Sequence, residues 1–159
     1  MTQLTLITVG TLKEDYLAAA LAEYKKRLGA YCRVEEIEIK EVRIANEDDA
    51  GEIERALAEE GAKILSKIPK GSYPIALCVE GKEYDSESLA ALLGRAADTV
   101  GMITLIIGSS HGLSPAVKAA AKERLSVSRL TFPHQLMRVI LAEALYRSFS
   151  ILAGKRYHK

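Results

Sequence analysis

The stretch MITLIIGSSHGLSP, residues 102–115, carries the strongest structural signal in the chain. Residues 102–107 are apolar enough to form a buried central strand of a parallel sheet. Gly108 ends this strand, and Ser114 followed by Pro115 is typical of a helix N-cap and first turn. In open α/β sheets, loops that follow the carboxyl ends of strands are where ligands bind. The stretch therefore predicts a central strand, a candidate binding loop and a helix.

Strand-like and helix-like segments alternate on both sides of this stretch. Apolar runs predict further strands at residues 5–9, 34–39, 75–79 and 125–128. Apolar residues at helical spacing predict helices over 17–28, 53–68, 86–96 and 115–122, the third with Ser86 as its N-cap. The second strand is the most polar, so we expect it near an edge. Because no linker or repeat divides the chain, residues 1–159 are predicted to form one α/β domain with a mostly parallel sheet flanked by helices.

The last predicted helix begins at Thr131-Phe132-Pro133, with Pro133 in its first turn. It is apolar nearly all round, with Leu136, Met137, Val139, Ile140, Leu141, Ala144, Leu145, Tyr146, Phe149, Ile151 and Leu152. A helix without a wide polar face must be buried on two sides. The sheet can cover one side, and a second copy of the chain is the economical cover for the other. We therefore expect a homodimer.

Composition excludes several classes of protein. The 159 residues are 48% hydrophobic and 27% charged, which is ordinary for a folded domain and argues against disorder. No apolar run approaches the length of a membrane helix, and the first residues do not resemble a secretion signal. Cys32 and Cys78 lack metal-site or CxxC spacing. We expect a cytoplasmic protein with two reduced thiols and no bound metal.

Charge is unevenly distributed along the chain. The formal net charge is +1, yet residues 1–80 hold 11 basic and 15 acidic side chains, and residues 81–159 hold 11 basic and 6 acidic ones. Residues 124–159 hold seven basic side chains against Glu143 alone. A basic end on a nearly neutral chain indicates either an anionic partner or a solvated cationic tail.

Two groups of residues could carry chemistry. Residues 108–112 match the G-x-S-x-G pattern of hydrolases, with Ser110 as nucleophile, Glu123 or Glu143 as acid and His134 or His158 as base. The helix signal begins only at Ser114, which disfavours a nucleophile elbow.

The second group lies nearer the C-terminus. His134 and Arg138 are four residues apart and share a helix face, which also fits an ordinary surface pair. Tyr157 and His158 offer a hydroxyl and an imidazole for proton removal, although such tails usually fray.

These motifs together resemble one family. The segments that carry the resemblance are Val9-Gly10-Thr11-Leu12-Lys13, Glu23-Tyr24-x-x-Arg27-Leu28, Ile107-Gly108-x-Ser110-x-Gly112-Leu113, Thr131-Phe132-Pro133-His134-x-x-x-Arg138 and Tyr157-His158-Lys159. They are similar to those of the ribosomal RNA large subunit methyltransferase H family of the SPOUT superfamily. The resemblance implies a SPOUT α/β fold with a C-terminal trefoil knot, a homodimer, and S-adenosylmethionine bound in the knot. It also implies methylation of N3 of a pseudouridine in large-subunit ribosomal RNA, on the assembled ribosome.

The resemblance also implies roles for individual residues. The implied cofactor contacts are Leu77, Gly108, Val127, Ser128, Arg129, Leu130, Thr131 and Phe132. Tyr157 and His158 are the candidates for removing the N3 proton or for positioning the group that does. Arg138 and Arg147 are candidates for holding phosphate, stabilising the developing anion or ordering the tail, although Arg147 can instead pair with Glu143.

The sequence departs from the family pattern at one position, and two alternative functions are left open. Ser109 stands where the family commonly has a second glycine, which leaves the conformation of the loop open. A non-enzymatic RNA- or ribosome-binding module and the Ser110 hydrolase are the alternative functions.

Overall fold

The computed structural model describes residues 1–157, in which strands and helices alternate as predicted. In chain order the elements are β1 (Thr2–Val9), α1 (Asp15–Leu28), β2 (Cys32–Ile39), α2 (Ala50–Lys67), β3 (Tyr73–Glu83), α3 (Ser86–Val100), β4 (Met102–Ile107), α4 (Pro115–Ala120), β5 (Glu123–Ser126) and α5 (His134–Leu152). None of the helices within residues 1–157 combines the length and hydropathy needed to cross a bilayer.

The five strands form one sheet in the order β2-β1-β4-β3-β5, and every pair of neighbours is parallel. β4 is the central strand, as its sequence predicts, and its residues from Ile103 to Ile107 are all buried. β2 lies at one edge, which confirms the expectation drawn from its polar residues. The carboxyl ends of all five strands therefore point to the same end of the sheet.

Helices cover both faces of the sheet. On one face α1, α3 and α5 bury apolar side chains against β1, β3 and β4, forming a cluster that includes Leu28, Leu93, Leu105 and Leu145. On the other face α2 and α4 do the same with a smaller cluster, centred on Ile7, Ile64, Ile106 and Val117. The two clusters explain why alternate residues of β1 and β4 are buried on opposite faces.

Several predicted boundaries differ from those in the structure by one to four residues, and three of them have a clear local cause. β5 ends at Ser126 rather than at residue 128, because the chain leaves the ladder with β3 there. Pro133 is the N-cap of α5 and not its first helical residue. The N-cap of α3 is Asp85, whose carboxylate accepts a 2.7 Å hydrogen bond from the Ser88 amide, so Ser86 is already inside the helix.

The C-terminal trefoil knot that the resemblance implies stays a prediction.

α5 is covered on one side within the single chain. Its residues Leu141, Leu145 and Phe149 lie in the larger cluster, where they meet the sheet and the flanking helices. Its opposite side, with Leu136 and Ile140, is only half-buried. This half-buried apolar side is the one that a second copy of the chain would cover. The homodimer itself stays a prediction.

Candidate functional site

A cavity of about 380 Å³ opens at the carboxyl ends of β3, β4 and β5. The chain lines it with three walls, namely the glycine loop after β4 (residues 108–113), the turn after β5 (residues 126–132) and residues 77–80 of β3. The first turn of α5 and Lys118 of α4 complete it. The sequence hypothesis requires Gly108 and residues 127–132 to share one cleft, and the fold brings them together.

The glycine loop folds back tightly on itself. Ser109 and Gly112 form an isolated antiparallel bridge, in which the Gly112 amide donates to the Ser109 carbonyl oxygen at 2.9 Å. A Cβ atom at Gly108 would overlap the carbonyl group of Gly112, so only glycine fits there without moving the loop. Within residues 1–157 no residue other than glycine has a positive φ. Ser109 therefore occupies an ordinary conformation, and the loop does not require a second glycine.

The wall from β3 arises from an irregular strand pairing. Leu77 pairs with Leu125 of β5, and the next paired residue of β3 is Lys82, so residues 78–81 bulge out of the ladder. Cys78, Val79 and Glu80 line the cavity as a result. Bulges of this kind commonly re-aim side chains beside functional sites. The sequence predicts a regular strand over 75–79 and carries no local signal of the bulge that follows Leu77.

The turn after β5 is held by its own serines. The Ser126 hydroxyl donates to the Ser128 carbonyl oxygen, and the Leu130 amide donates to the Ser128 hydroxyl, both at 3.0 Å. Every implied cofactor contact except Arg129 lines the cavity: Leu77, Gly108, Val127, Ser128, Leu130, Thr131 and Phe132. Arg129 is exposed and is not part of the lining.

The first turn of α5 contributes His134 and Met137 to the cavity. Burial lowers the pKa of the His134 imidazole, the nearby Arg138 lowers it further, and Glu41 opposes the shift. His134 is therefore a neutral hydrogen-bonding group at neutral pH. The Thr-Phe-Pro-His motif singled out this histidine, but its place in the cavity wall was not predicted.

Charge in the lining is balanced. Glu80 and Lys118 form an ion pair at the rim, and this pairing lowers the pKa of the Glu80 carboxyl. The remaining walls are mostly apolar side chains and backbone groups. A cavity of this kind suits a ligand with an apolar ring and a few fixed polar groups. Neither Glu80 nor Lys118 belongs to a motif that sequence analysis had identified.

Arg138 lies behind the cavity and not in it. Its Nη2 donates to the carbonyl oxygens of Val9 at 2.8 Å and Gly10 at 2.7 Å, and its Nη1 is 3.6 Å from Glu38 Oε1. Only 1% of its side chain is exposed, so the interpretation as an ordinary surface pair with His134 is wrong. The guanidinium ties the start of α5 to the end of β1, and Arg138 is not among the residues that line the cavity.

Arg147 and Tyr157 lie together at the far end of α5. Arg147 Nη2 is 2.5 Å from Glu143 Oε1, so the predicted i,i+4 ion pair is present. The same guanidinium stacks on Tyr157, 4.9 Å from the ring centroid. Arg147 follows Met137 by ten residues, which is roughly 15 Å along a helix at ~1.5 Å per residue. Tyr157 therefore lies away from the cavity of its own chain, and His158 lies outside the described residues.

The geometry gives no support to a Ser110 hydrolase. Ser110 is exposed at the tip of the glycine loop, and no histidine within residues 1–157 hydrogen-bonds to it. The two proposed acids are engaged elsewhere, Glu123 with the Tyr84 hydroxyl and Glu143 with Arg147.

Among residues 1–157, no three histidine, cysteine, aspartate or glutamate side chains cluster as metal ligands.

Comparisons with known proteins relate the chain to one family. The family described as "Predicted SPOUT methyltransferase" matches residues 2–158. The ribosomal RNA large subunit methyltransferase H of Exiguobacterium sibiricum is 45% identical over 159 residues, covering 99% of both chains. The protein of that name from Bifidobacterium adolescentis is 46% identical over 158 residues, again covering 99% of both.

A solved structure is also similar in fold. The crystal structure of a probable methyltransferase from Bordetella pertussis Tohama I has a TM-score of 0.60 to this chain. It covers 93% of this chain and 95% of its own, at 13% sequence identity. At this identity the likeness shows the fold alone.

If the cavity binds S-adenosylmethionine, as the resemblance implies, Gly108→Ala is predicted to weaken that binding by roughly 10- to 100-fold, because relieving a clash of this kind costs ~1–3 kcal/mol. Ser109→Gly is the matched control, and it should stay within about threefold of wild type because Ser109 needs no glycine conformation. Isothermal calorimetry measures both. Wild-type affinity in a normally folded Gly108→Ala protein would contradict the assignment of this loop.

Cys78 provides a chemical probe of the cavity. Burial is the main cause that raises the pKa of its thiol, so alkylation should accelerate with pH through the range above 9. Saturating S-adenosylmethionine should slow this labelling if the ligand occupies the cavity. Cys32 is the internal control, since it is 1% exposed and burial raises its pKa to about 11. Labelling of Cys78 at an unchanged rate with the ligand present would argue against binding there.

Proposed function

The chain belongs to the SPOUT methyltransferase family, and we propose that it methylates N3 of a pseudouridine in large-subunit ribosomal RNA, using S-adenosylmethionine. The observation that carries this proposal is the single cavity lined by both the glycine loop and residues 127–132. The names of full-length relatives at 45–46% identity support ribosomal RNA as the substrate. On this proposal the protein acts on the assembled ribosome, in the cytoplasm.

The residues of the cavity fit S-adenosylmethionine. Leu77, Val127 and Leu130 supply apolar surface for an adenine ring, and the backbone of residues 127–132 supplies donors and acceptors for its nitrogens. The Glu80 carboxylate and the Lys118 ammonium at the rim match the two charges of an amino-acid group. Neutral His134 adds no positive charge beside a sulfonium. When bound, this cofactor supplies an activated methyl group.

The protein then has two tasks, which are to position the acceptor base and to remove its N3 proton. General bases work best with a pKa near the operating pH, which makes the His158 imidazole the stronger candidate. Burial, Tyr24 and Glu143 all raise the pKa of the Tyr157 hydroxyl, so it is a donor or an anchor at neutral pH. Arg147, stacked on Tyr157, orders the tail.

We propose that the tail acts in the cavity of a partner subunit. Two observations support this arrangement: Tyr157 packs on its own α5 far from its own cavity, and α5 keeps a half-buried apolar side at Leu136 and Ile140. A homodimer would bury that side and bring each tail towards the opposite cavity. Arg138 takes part as a positioning residue, through the end of β1 and the start of α5.

The proposal predicts that deleting residues 157–159 abolishes methyl transfer while leaving cofactor affinity within about threefold, since the proposed cofactor contacts lie in β3, the glycine loop and the turn after β5. The assay incubates ribosomes from a strain lacking this enzyme with labelled S-adenosylmethionine and maps the modified base. Calorimetry on the same variant reports cofactor binding. Full turnover by the truncated protein would refute the role of the tail. Ribosome binding by the wild type without cofactor binding would favour the non-enzymatic module.

Mixing two defective variants tests whether the tail acts across the dimer. At a cofactor concentration well below its weakened affinity, Gly108→Ala leaves its cavity almost empty and keeps the tail, whereas the truncated chain keeps the cavity and lacks the tail. After subunit exchange, heterodimers should regain methyl transfer through the one cavity that meets an intact tail. Each variant mixed with itself is the control. No recovery in a mixture that size-exclusion and mass spectrometry show to contain heterodimers would mean that the tail serves its own chain.

A further inference from the structure

The chain reverses direction immediately after α5. Gly154 has φ +72°, its amide donates to the Ile151 carbonyl oxygen at 3.0 Å, and the Lys155 amide donates to the Ser150 carbonyl oxygen at 2.9 Å. These two bonds and the left-handed glycine form a complete Schellman turn. The turn sends the tail back along the helix that it has just left.

The returning tail meets a built contact. The Tyr157 ring lies edge-on to the Tyr146 ring with 4.7 Å between centroids and an interplanar angle of 69°. The Arg147 guanidinium also lies over the Tyr157 ring, 4.9 Å from its centroid. Edge-to-face rings and stacked guanidinium groups are both attractive geometries. Tyr157 is therefore half-buried although it stands close to the chain terminus.

Residues from α1 hold Tyr146 in place. Its ring is 6.4 Å from that of Tyr24 and 6.1 Å from that of Tyr31, which follows α1, and the Arg27 guanidinium lies 5.8 Å from its centroid. Arg27 is itself bound by Glu23 at 3.0 Å. We call this group the tyrosine seat, and it consists of Tyr24, Arg27, Tyr31, Tyr146 and Arg147.

We propose that the tyrosine seat anchors the C-terminal tail at Tyr157, with Tyr146 as the positioning residue. The proposal rests on the proposed function, because it assumes that the tail takes part in methyl transfer. It differs from that function in naming residues outside the cavity and outside the tail. A frayed tail would have to be ordered at each turnover, whereas a seated tail is ordered in advance.

Limited proteolysis tests the tyrosine seat without a measurement of enzyme activity. Trypsin cleaves after Lys155 and Arg156, and a seated Tyr157 protects these bonds. Tyr146→Ala should accelerate the loss of the terminal residues roughly three- to tenfold, in line with the worth of an aromatic pair. Tyr146→Phe keeps the ring and should behave as wild type. Tyr16→Ala, which removes a 70% exposed tyrosine of α1, is the matched control.

The same variants test whether the seat positions the tail for catalysis. Tyr146→Ala should lower kcat by roughly the factor by which tail cleavage rises, with KM for S-adenosylmethionine unchanged. Gly154→Val should do the same by breaking the turn, whereas Gly154→Asn, which tolerates the left-handed region, should retain activity. This second pair keeps the test decisive if Tyr146→Ala folds poorly.

Each other outcome overturns the proposal. Unchanged cleavage in Tyr146→Ala and Gly154→Val means that the seat does not hold the tail. Faster cleavage with unchanged kcat means that anchoring is irrelevant to transfer, and a higher kcat means that the seat restrains the tail in an idle position. Failure of the proposed function looks different, since the wild-type protein would then leave unmodified ribosomes unmethylated.

Discussion

The cavity depends on one steric constraint, the close passage of the Gly108 backbone past the carbonyl group of Gly112. β4 is buried along its length, so the strand cannot shift to relieve pressure at its end. The loop must turn back at once, which places residues 109–113 opposite the turn after β5. A side chain at position 108 would collide with Gly112 and Leu113 and force the loop open. The cavity therefore lies where the buried strand β4 ends at Gly108, which has no side chain to obstruct the turn.

Features set by consecutive residues were predictable, and features set by distant partners were not. The apolar run 102–107 and the Ser114–Pro115 helix start are local signals, and both appear where the sequence places them. The end of β5 and the bulge at 78–81 depend on how two strands pair, which neither strand encodes alone. Helical spacing put Arg138 beside His134, but the carbonyl groups that bury it belong to β1.

The turn after β5 was identified through resemblance to a family and not through physical patterning, whereas the glycine loop was also predicted from its position between a strand and a helix. A short run such as Val127 to Phe132 carries no periodicity, so only a matched motif could mark it in advance. Arg129 is the exception because successive side chains in a turn point in different directions, and this one is exposed to solvent.

The folded structure exposes less of the basic charge of residues 124–159 than the sequence suggests. Arg138 is buried and Arg147 is paired, so an anionic partner meets chiefly the exposed side chains of this segment.

The position of β4 between β1 and β3 governs when a growing polypeptide can acquire its shape. β1 and β2 leave the ribosome first and β3 follows, but no backbone ladder joins β3 to either of them in the finished sheet. Only residues 102–107 connect the two halves, and they are made after nearly two thirds of the chain. Such long-range pairing makes folding slow. Until its fourth strand is made, a nascent chain of this enzyme therefore cannot join β3 to the paired strands β1 and β2 in one sheet.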